Sequence, residues 1–169
     1  MNIRLANTSD DRLLAELGAR TFADSFSAEN TPEDMAAYLA GAFSPEKQAA
    51  ELADPRSVFL IAEEDGQPVG YARLKLGPAP ECVTADRPIE IVRFYAIKEM
   101  IGRGVGAALM TACLDEARDR GSDVAWLDVW EKNPRAITFY RKWGFEKVGE
   151  QDFQLGDDLQ NDWLMSRKI

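Results

Sequence analysis

Histidine is absent from the 169 residues. That excludes a Ser-His-Asp or Cys-His nucleophile system and every histidine metal site. A general acid or base must then be Asp, Glu, Tyr, Lys, Cys or water. Cysteine is scarce: Cys82 and Cys113 stand alone without metal-ligand spacing, and they read as packing residues of a reduced, cytoplasmic protein. No metal site is expected. No apolar run approaches the roughly 18 residues that span a bilayer. Met1-Asn2-Ile3-Arg4-Leu5 opens no signal-peptide-like stretch. Positive charge is in deficit, with 20 Lys and Arg against 29 Asp and Glu and a net charge of −9. Neither a membrane nor a nucleic acid is therefore expected as a partner. Repeats, low-complexity tracts and linkers are missing too. One domain over residues 1–169, long enough for a substantial core, is the expectation.

What is present alternates between two periods. Asn2 to Ala6 reads as a short strand, and Thr8 or Ser9 can cap a helix running to about Ala23. Thr31-Pro32-Glu33-Asp34 and Ser44-Pro45-Glu46 are helix starts: a hydroxyl cap, proline at the first helical position, and acids in the first turn. Val58 to Glu64 and Val69 to Leu76 are β-rich, separated by the turn Asp65-Gly66-Gln67-Pro68. Ile89 to Ile97 is the next strand. A helix follows from Arg103 to about Arg120, with Val105, Ala108, Leu109, Ala112 and Ala117 on one face and Gly121 at its end. Trp126 to Trp130 alternates as a strand, Asn133-Pro134 opens a helix that Gly144 closes, and Phe145 to Leu155 and Asp162 to Ser166 read as closing strands. The order predicts an α/β (α+β) fold: a mixed sheet with helices packed on it.

The chemistry concentrates after the Ile89 strand. Gly102, Gly104 and Gly106 alternate just where a helix begins. Without side chains to shield them, the first helical N–H groups and the helix dipole form a site for a phosphate or pyrophosphate. A dinucleotide fold would place this turn near the N-terminus, and a P-loop needs Gly-Lys-Ser/Thr, which is missing. In the Ile89 strand a two-residue period puts Glu90, Val92, Phe94 and Ala96 on one face.

With Ile101-Gly102-Arg103-Gly104-Val105-Gly106 and Asn133-Pro134-Arg135-Ala136-Ile137-Thr138-Phe139-Tyr140-Arg141-Lys142-Trp143-Gly144-Phe145, the chain resembles the GNAT superfamily of acetyl-CoA-dependent N-acetyltransferases. Ile101 departs from the Arg or Gln usual there, so the turn would hold the pyrophosphate mainly through its backbone. The resemblance implies a central, mostly antiparallel sheet of about six to seven strands containing a splayed pair, flanked by helices. It implies acetyl-CoA or coenzyme A held by Tyr95, Ala96, Ile101, Gly102, Arg103, Gly104, Val105, Gly106, Asn133, Tyr140 and Lys142. The backbone of Tyr95 and Ala96 would pair with the pantetheine arm like an added strand. Tyr140 would protonate the departing thiolate, and Glu90 would receive the amine proton.

Thr21-Phe22-Ala23-Asp24-Ser25-Phe26, Trp126 to Asn133 and Leu155 to Asp162 resemble the PaiA-type group, which is associated with spermidine and spermine acetylation. Asp152-Phe153-Gln154 stands where that group tends to carry histidine. The resemblance implies a small primary amine as acceptor, with a polyamine as one candidate. Phe22, Phe26, Glu90, Trp130 and Glu131 are the acceptor-binding candidates, and Asp24, Asp157 and Asp158 could add carboxylates. The rival readings are acetylation of a protein or peptide amine and a non-catalytic coenzyme A sensor. An exposed strand edge near the C-terminus would allow a homodimer.

Overall fold

The computed structural model describes residues 1–169. Its strands are β1 (Asn2–Leu5), β2 (Ser57–Glu64), β3 (Gln67–Leu76), β4 (Pro88–Ala96), β5 (Val124–Trp130), β6 (Glu146–Leu155) and β7 (Asp158–Lys168). Its helices are α1 (Asp11–Phe26), α2 (Pro32–Ala42), α3 (Pro45–Ala53), α4 (Val105–Asp119) and α5 (Pro134–Lys142). All seven strands form one sheet in the order β1-β2-β3-β4-β5-β7-β6. Only β4 and β5 run parallel; every other neighbouring pair is antiparallel. The free edges are therefore β1 and β6, while the last strand, β7, lies inside the sheet.

Local chemistry accounts for most element ends. Thr31 Oγ1 accepts from the Asp34 N–H at 3.2 Å and Ser44 Oγ from the Lys47 N–H at 3.1 Å, each just before a proline at the first helical position. The first helix differs from expectation. Asn7, not Thr8 or Ser9, is the cap, and it caps a short 3-10 turn, Thr8–Asp10, through Asn7 Oδ1 and the Ser9 N–H at 2.9 Å. The α-helix then runs to Phe26, past the expected Ala23, because Phe22 and Phe26 both bury on its inner side. The β2–β3 turn is tighter than expected. Asp65 and Gly66 both have positive φ, 50° and 74°, so two residues suffice and Gln67 and Pro68 join β3. The last strand is longer than Asp162 to Ser166, because β6 pairs with it from Asp158 to Ser166.

The two sides of the sheet are packed differently. One carries α4 and α5 over Leu60, Leu74, Ile89, Leu127 and Met165. The other carries α1, α2 and α3 over Phe59, Ile61 and Tyr71 and over a second group around Phe22, Phe26 and Trp130. Gly70 sets how closely α4 approaches. A Cβ there would meet Tyr95 O at 2.8 Å and Val105 Cγ1 at 2.9 Å. The bare backbone lets the start of α4 sit directly against the ends of β3 and β4.

Candidate active site

β4 and β5 pair at only three positions, Pro88 with Val124, Ile89 with Ala125 and Glu90 with Trp126. Beyond Glu90 the two strands part, and a cleft of about 640 Å³ opens in the gap. Its lining comes from both sides of the sheet. Gly102, Gly104, Gly106, Ala107, Asn133 and Tyr140 belong to the α4–α5 side; Phe22, Phe26, Tyr38, Phe43 and Trp130 belong to the other. Glu90 sits at the fork.

A β-bulge decides what Glu90 faces. Arg73 on β3 pairs with Arg93, but the next residue, Leu74, pairs with Ile91, so Val92 has no partner. The extra residue flips the phase of the strand. Ile89 and Ile91 before it, and Phe94 and Ala96 after it, pack on the α4 side. Tyr95 packs on the α1 side, and Arg93 reaches Glu51 of α3. The expected face of Glu90, Val92, Phe94 and Ala96 is therefore corrected: Glu90 shares its face with Arg93 and Tyr95.

On the α4 side the glycine turn has the expected form. Gly102 and Gly104 have φ of 82° and 90°, and a Cβ on either would enter open space. The N–H groups of Gly104, Val105, Gly106 and Ala107 donate to no protein acceptor. Four free amides at the start of a 15-residue helix, beside the cleft, fit an anionic phosphate group. The Val105 side chain is core, so only its backbone is available. Asn133 lines the cleft, with Oδ1 engaged in capping α5 through the Ala136 N–H at 3.1 Å. Ile101 lines the cleft as an exposed apolar residue. Arg103 is exposed outside the lining. Lys142 lies in a neighbouring shallow depression with Arg135 and Thr138, and Arg135 reaches both. Tyr140 is held among Phe94, Phe139 and Phe145, with ring centroids 6.1, 5.6 and 5.9 Å away. Burial pushes its phenol above the ordinary 10, so it keeps its proton at neutral pH.

The other side of the cleft is aromatic and acidic. Phe22 and Phe26 lie with centroids 4.4 Å apart, Trp130 is 5.6 Å from Phe26, and Tyr38 stacks on Phe22 at 4.5 Å. Glu90, Asp128 and Asp162 are the carboxylates in the lining. Burial, and then the Asp128 charge, push Glu90 up from 4.5 to about 7. Burial, and then the neighbouring Asp128 carboxylate, push Asp162 from 3.8 to about 7. The one cation on this side, Arg93, is committed: Nη1 and Nη2 bond Glu51 at 2.6 and 3.1 Å, and its guanidinium lies over Phe43. Glu51 also holds Arg73 at 2.8 Å.

The structure brings Phe22, Phe26, Glu90, Trp130 and Tyr140, each predicted separately from the sequence, to one cleft. Sequence reasoning did not find Asp128, Asp162, Tyr38, Phe43 or Phe153. Asp128 alternates with Trp126 and Trp130, and that pattern could have placed it beside Trp130. Glu131, proposed for the acceptor, lies outside the lining and accepts from Asn161 Nδ2 at 3.0 Å. Asp24, Asp157 and Asp158 are likewise outside it. Neither Cys82 nor Cys113 reaches the cleft.

Comparison with known proteins points the same way. The family model for the Acetyltransferase (GNAT) family matches residues 19–145. An uncharacterised N-acetyltransferase of Mycobacterium tuberculosis is 38% identical over 156 residues, covering 92% of this chain and 96% of its own. The N-alpha-acetyltransferase RimI of the same species is 33% identical over 136 residues, 79% of each chain. The crystal structure of PaiA N-acetyltransferase from Thermoplasma acidophilum, in complex with coenzyme A, matches over 100% of both chains with a TM-score of 0.78. At 22% identity that likeness establishes the fold.

Proposed function

The chain belongs to the GNAT acetyltransferase family, whose acetyl donor is acetyl-CoA, and we propose that residues 1–169 act as one N-acetyltransferase domain acetylating a primary amine of a small cationic acceptor, the polyamines included. The observation that carries this reading is the division of the cleft. Free helix amides suited to an anionic donor lie on one side of the sheet, and three carboxylates among aromatic walls lie on the other.

Acetyl-CoA supplies an activated acetyl group and a thiolate leaving group. The amides of Gly104 to Ala107 are positioned for its pyrophosphate. The edge of β4 beyond Glu90, including Tyr95 and Ala96, lacks a strand partner on the β5 side and offers backbone groups to an extended arm. Glu90, at the fork, takes the proton of the acceptor. A free ammonium of pKa about 10.4 is neutral in roughly one molecule in 2,500 at pH 7, a penalty near 4.6 kcal/mol. A carboxylate titrating at about 7 both attracts the ammonium and can carry its proton away. Tyr140 stays protonated and faces the cleft, where it can hydrogen-bond and protonate the departing sulfur. Attack is direct, since no cysteine lines the cleft to form an acyl-enzyme.

Acetylation of a peptide amine is the second reading, favoured by the RimI relative. The roof of the acceptor side weighs against it. Tyr38 of α2 meets Phe153 of β6 at 5.8 Å, Gln160 Nε2 donates to Asn30 Oδ1 at 2.8 Å, and the Asp157 N–H reaches Asp34 Oδ1 at 3.4 Å. These contacts tie α2 and the segment after α1 to β6 and β7 across the acceptor side, which favours a compact acceptor over an extended one. A thiol-release screen with acetyl-CoA and polyamines, aminoglycosides, amino acids and short peptides tests the choice. Turnover led by small polycationic amines is expected; turnover on peptides alone would overturn the reading.

A further inference from the structure

Glu90 suffices to receive one amine, yet the acceptor side holds two more carboxylates. Asp128 on β5 and Asp162 on β7 are diagonal neighbours on adjacent strands, and both line the cleft. Asp162 is only 5% exposed, and its Oδ1 is buried without any partner. Two residues along the same face of β7, Gln160 Oε1 is also buried and unpaired. The sole neutral donor to the pair is Gln151 Nε2, at 3.3 Å from Asp128 Oδ2. A buried carboxylate oxygen without a donor is costly unless something in the cavity supplies one. Arg93, the nearby lining cation, is occupied by Glu51. No group of three metal-ligating side chains surrounds the pair. The missing donor therefore fits a cationic nitrogen that brings several N–H groups.

The pair is set apart from Glu90 along the strands. Glu90 is level with Trp126, and Asp128 lies two residues further along β5, roughly 7 Å of rise. Asp162 is level with Trp130 and one strand beyond. Trp130 and Phe26 wall the same space, and an aromatic face next to carboxylates suits an alkylammonium.

We propose that Asp128 and Asp162 form a second ammonium subsite, so that the enzyme selects acceptors carrying a cationic nitrogen some distance from the amine being acetylated. This rests on the amine reading above: Glu90 receives the reacting nitrogen, and the pair anchors the far one. A monoamine of the same length would leave Asp162 Oδ1 without its donor.

The test is calorimetric binding, in the presence of coenzyme A, of α,ω-diaminoalkanes of increasing length and of the matching monoamines. Wild-type protein should show a length optimum at which the diamine binds at least tenfold tighter than its monoamine. Asp162→Asn, nearly isosteric, should bring that ratio close to one while the affinity for coenzyme A stays the same, which also certifies its folding. Equal binding of diamine and monoamine by the wild type overturns the subsite, as does a ratio that survives in both Asp162→Asn and Asp128→Asn. Thiol release on the same amines separates the two ideas. Acetylation without a diamine margin removes the subsite and keeps the amine reading; a margin without acetylation keeps the subsite and removes the amine reading.

Discussion

Replacing Glu90 by glutamine should make the protein more stable and less active, with both effects setting in as Glu90 loses its proton and persisting at higher pH. A carboxyl raised from 4.5 to about 7 holds its proton in the folded state after the unfolded chain has released it. Stability then falls as pH rises from about 4.5 to about 7 and stays low above that. The full difference corresponds to about 3 kcal/mol between protonation states. Glu90 borders an open cleft, so water and counterions trim it to about 1–2 kcal/mol. Glutamine keeps the shape and removes the charge. Urea unfolding at pH 5 and pH 8.5 reads the effect. Glu90→Gln should gain on the wild type by about 1–2 kcal/mol more at the higher pH. In the rate, the wild type should show a limb near pH 7 in kcat/KM for the amine, and the variant should lose both the limb and about 10²–10⁴-fold in rate. A variant no more stable than the wild type at pH 8.5, with its pH–rate limb intact, would refute the reasoning.

Other outcomes follow from the same geometry. Tyr140→Phe should lower kcat about 10²-fold and leave the calorimetric affinity for coenzyme A within about twofold. That lies at the weak end of acid catalysis, because a phenol raised above 10 gives up its proton reluctantly to a thiolate of ordinary pKa about 8.5. Ile101→Arg should tighten coenzyme A about fivefold at low salt, an advantage that shrinks as salt rises, by adding a cation beside the free amides. Glu51→Ala should cost about 3–5 kcal/mol in urea unfolding, since Arg73 and Arg93 would be left buried around a missing carboxylate.

The α4–α5 side of the cleft was partly legible in the sequence because its signals are local, although Arg103 and Lys142 fall outside the lining. A glycine turn before a helix, the Asn133 cap and Tyr140 two turns later all act within a dozen residues, and their spacing survives into the structure. The acceptor side depends on long-range order. Asp162 reaches the cleft because β7 inserts between β5 and β6, so that it lies opposite Trp130, an arrangement no local pattern encodes. The phase of β4 was misread for a related reason. Strict alternation places Glu90 with Phe94, but the unpaired Val92 exists only in the pairing with β3. Tyr38 and Phe43 arrive through the packing of α2 against the sheet rather than through any motif of their own.

On the proposed mechanism, this cleft passes an acetyl group from acetyl-CoA straight to a small amine. Mass spectrometry of one turnover, with protein, acetyl-CoA and a diamine in equal amounts, examines every part of it. One acetylated amine is expected for each thiol released, with no acetyl on the protein. Acetyl-CoA that binds without yielding acetylated amine, or an acetyl found on the protein before it reaches the amine, would contradict it.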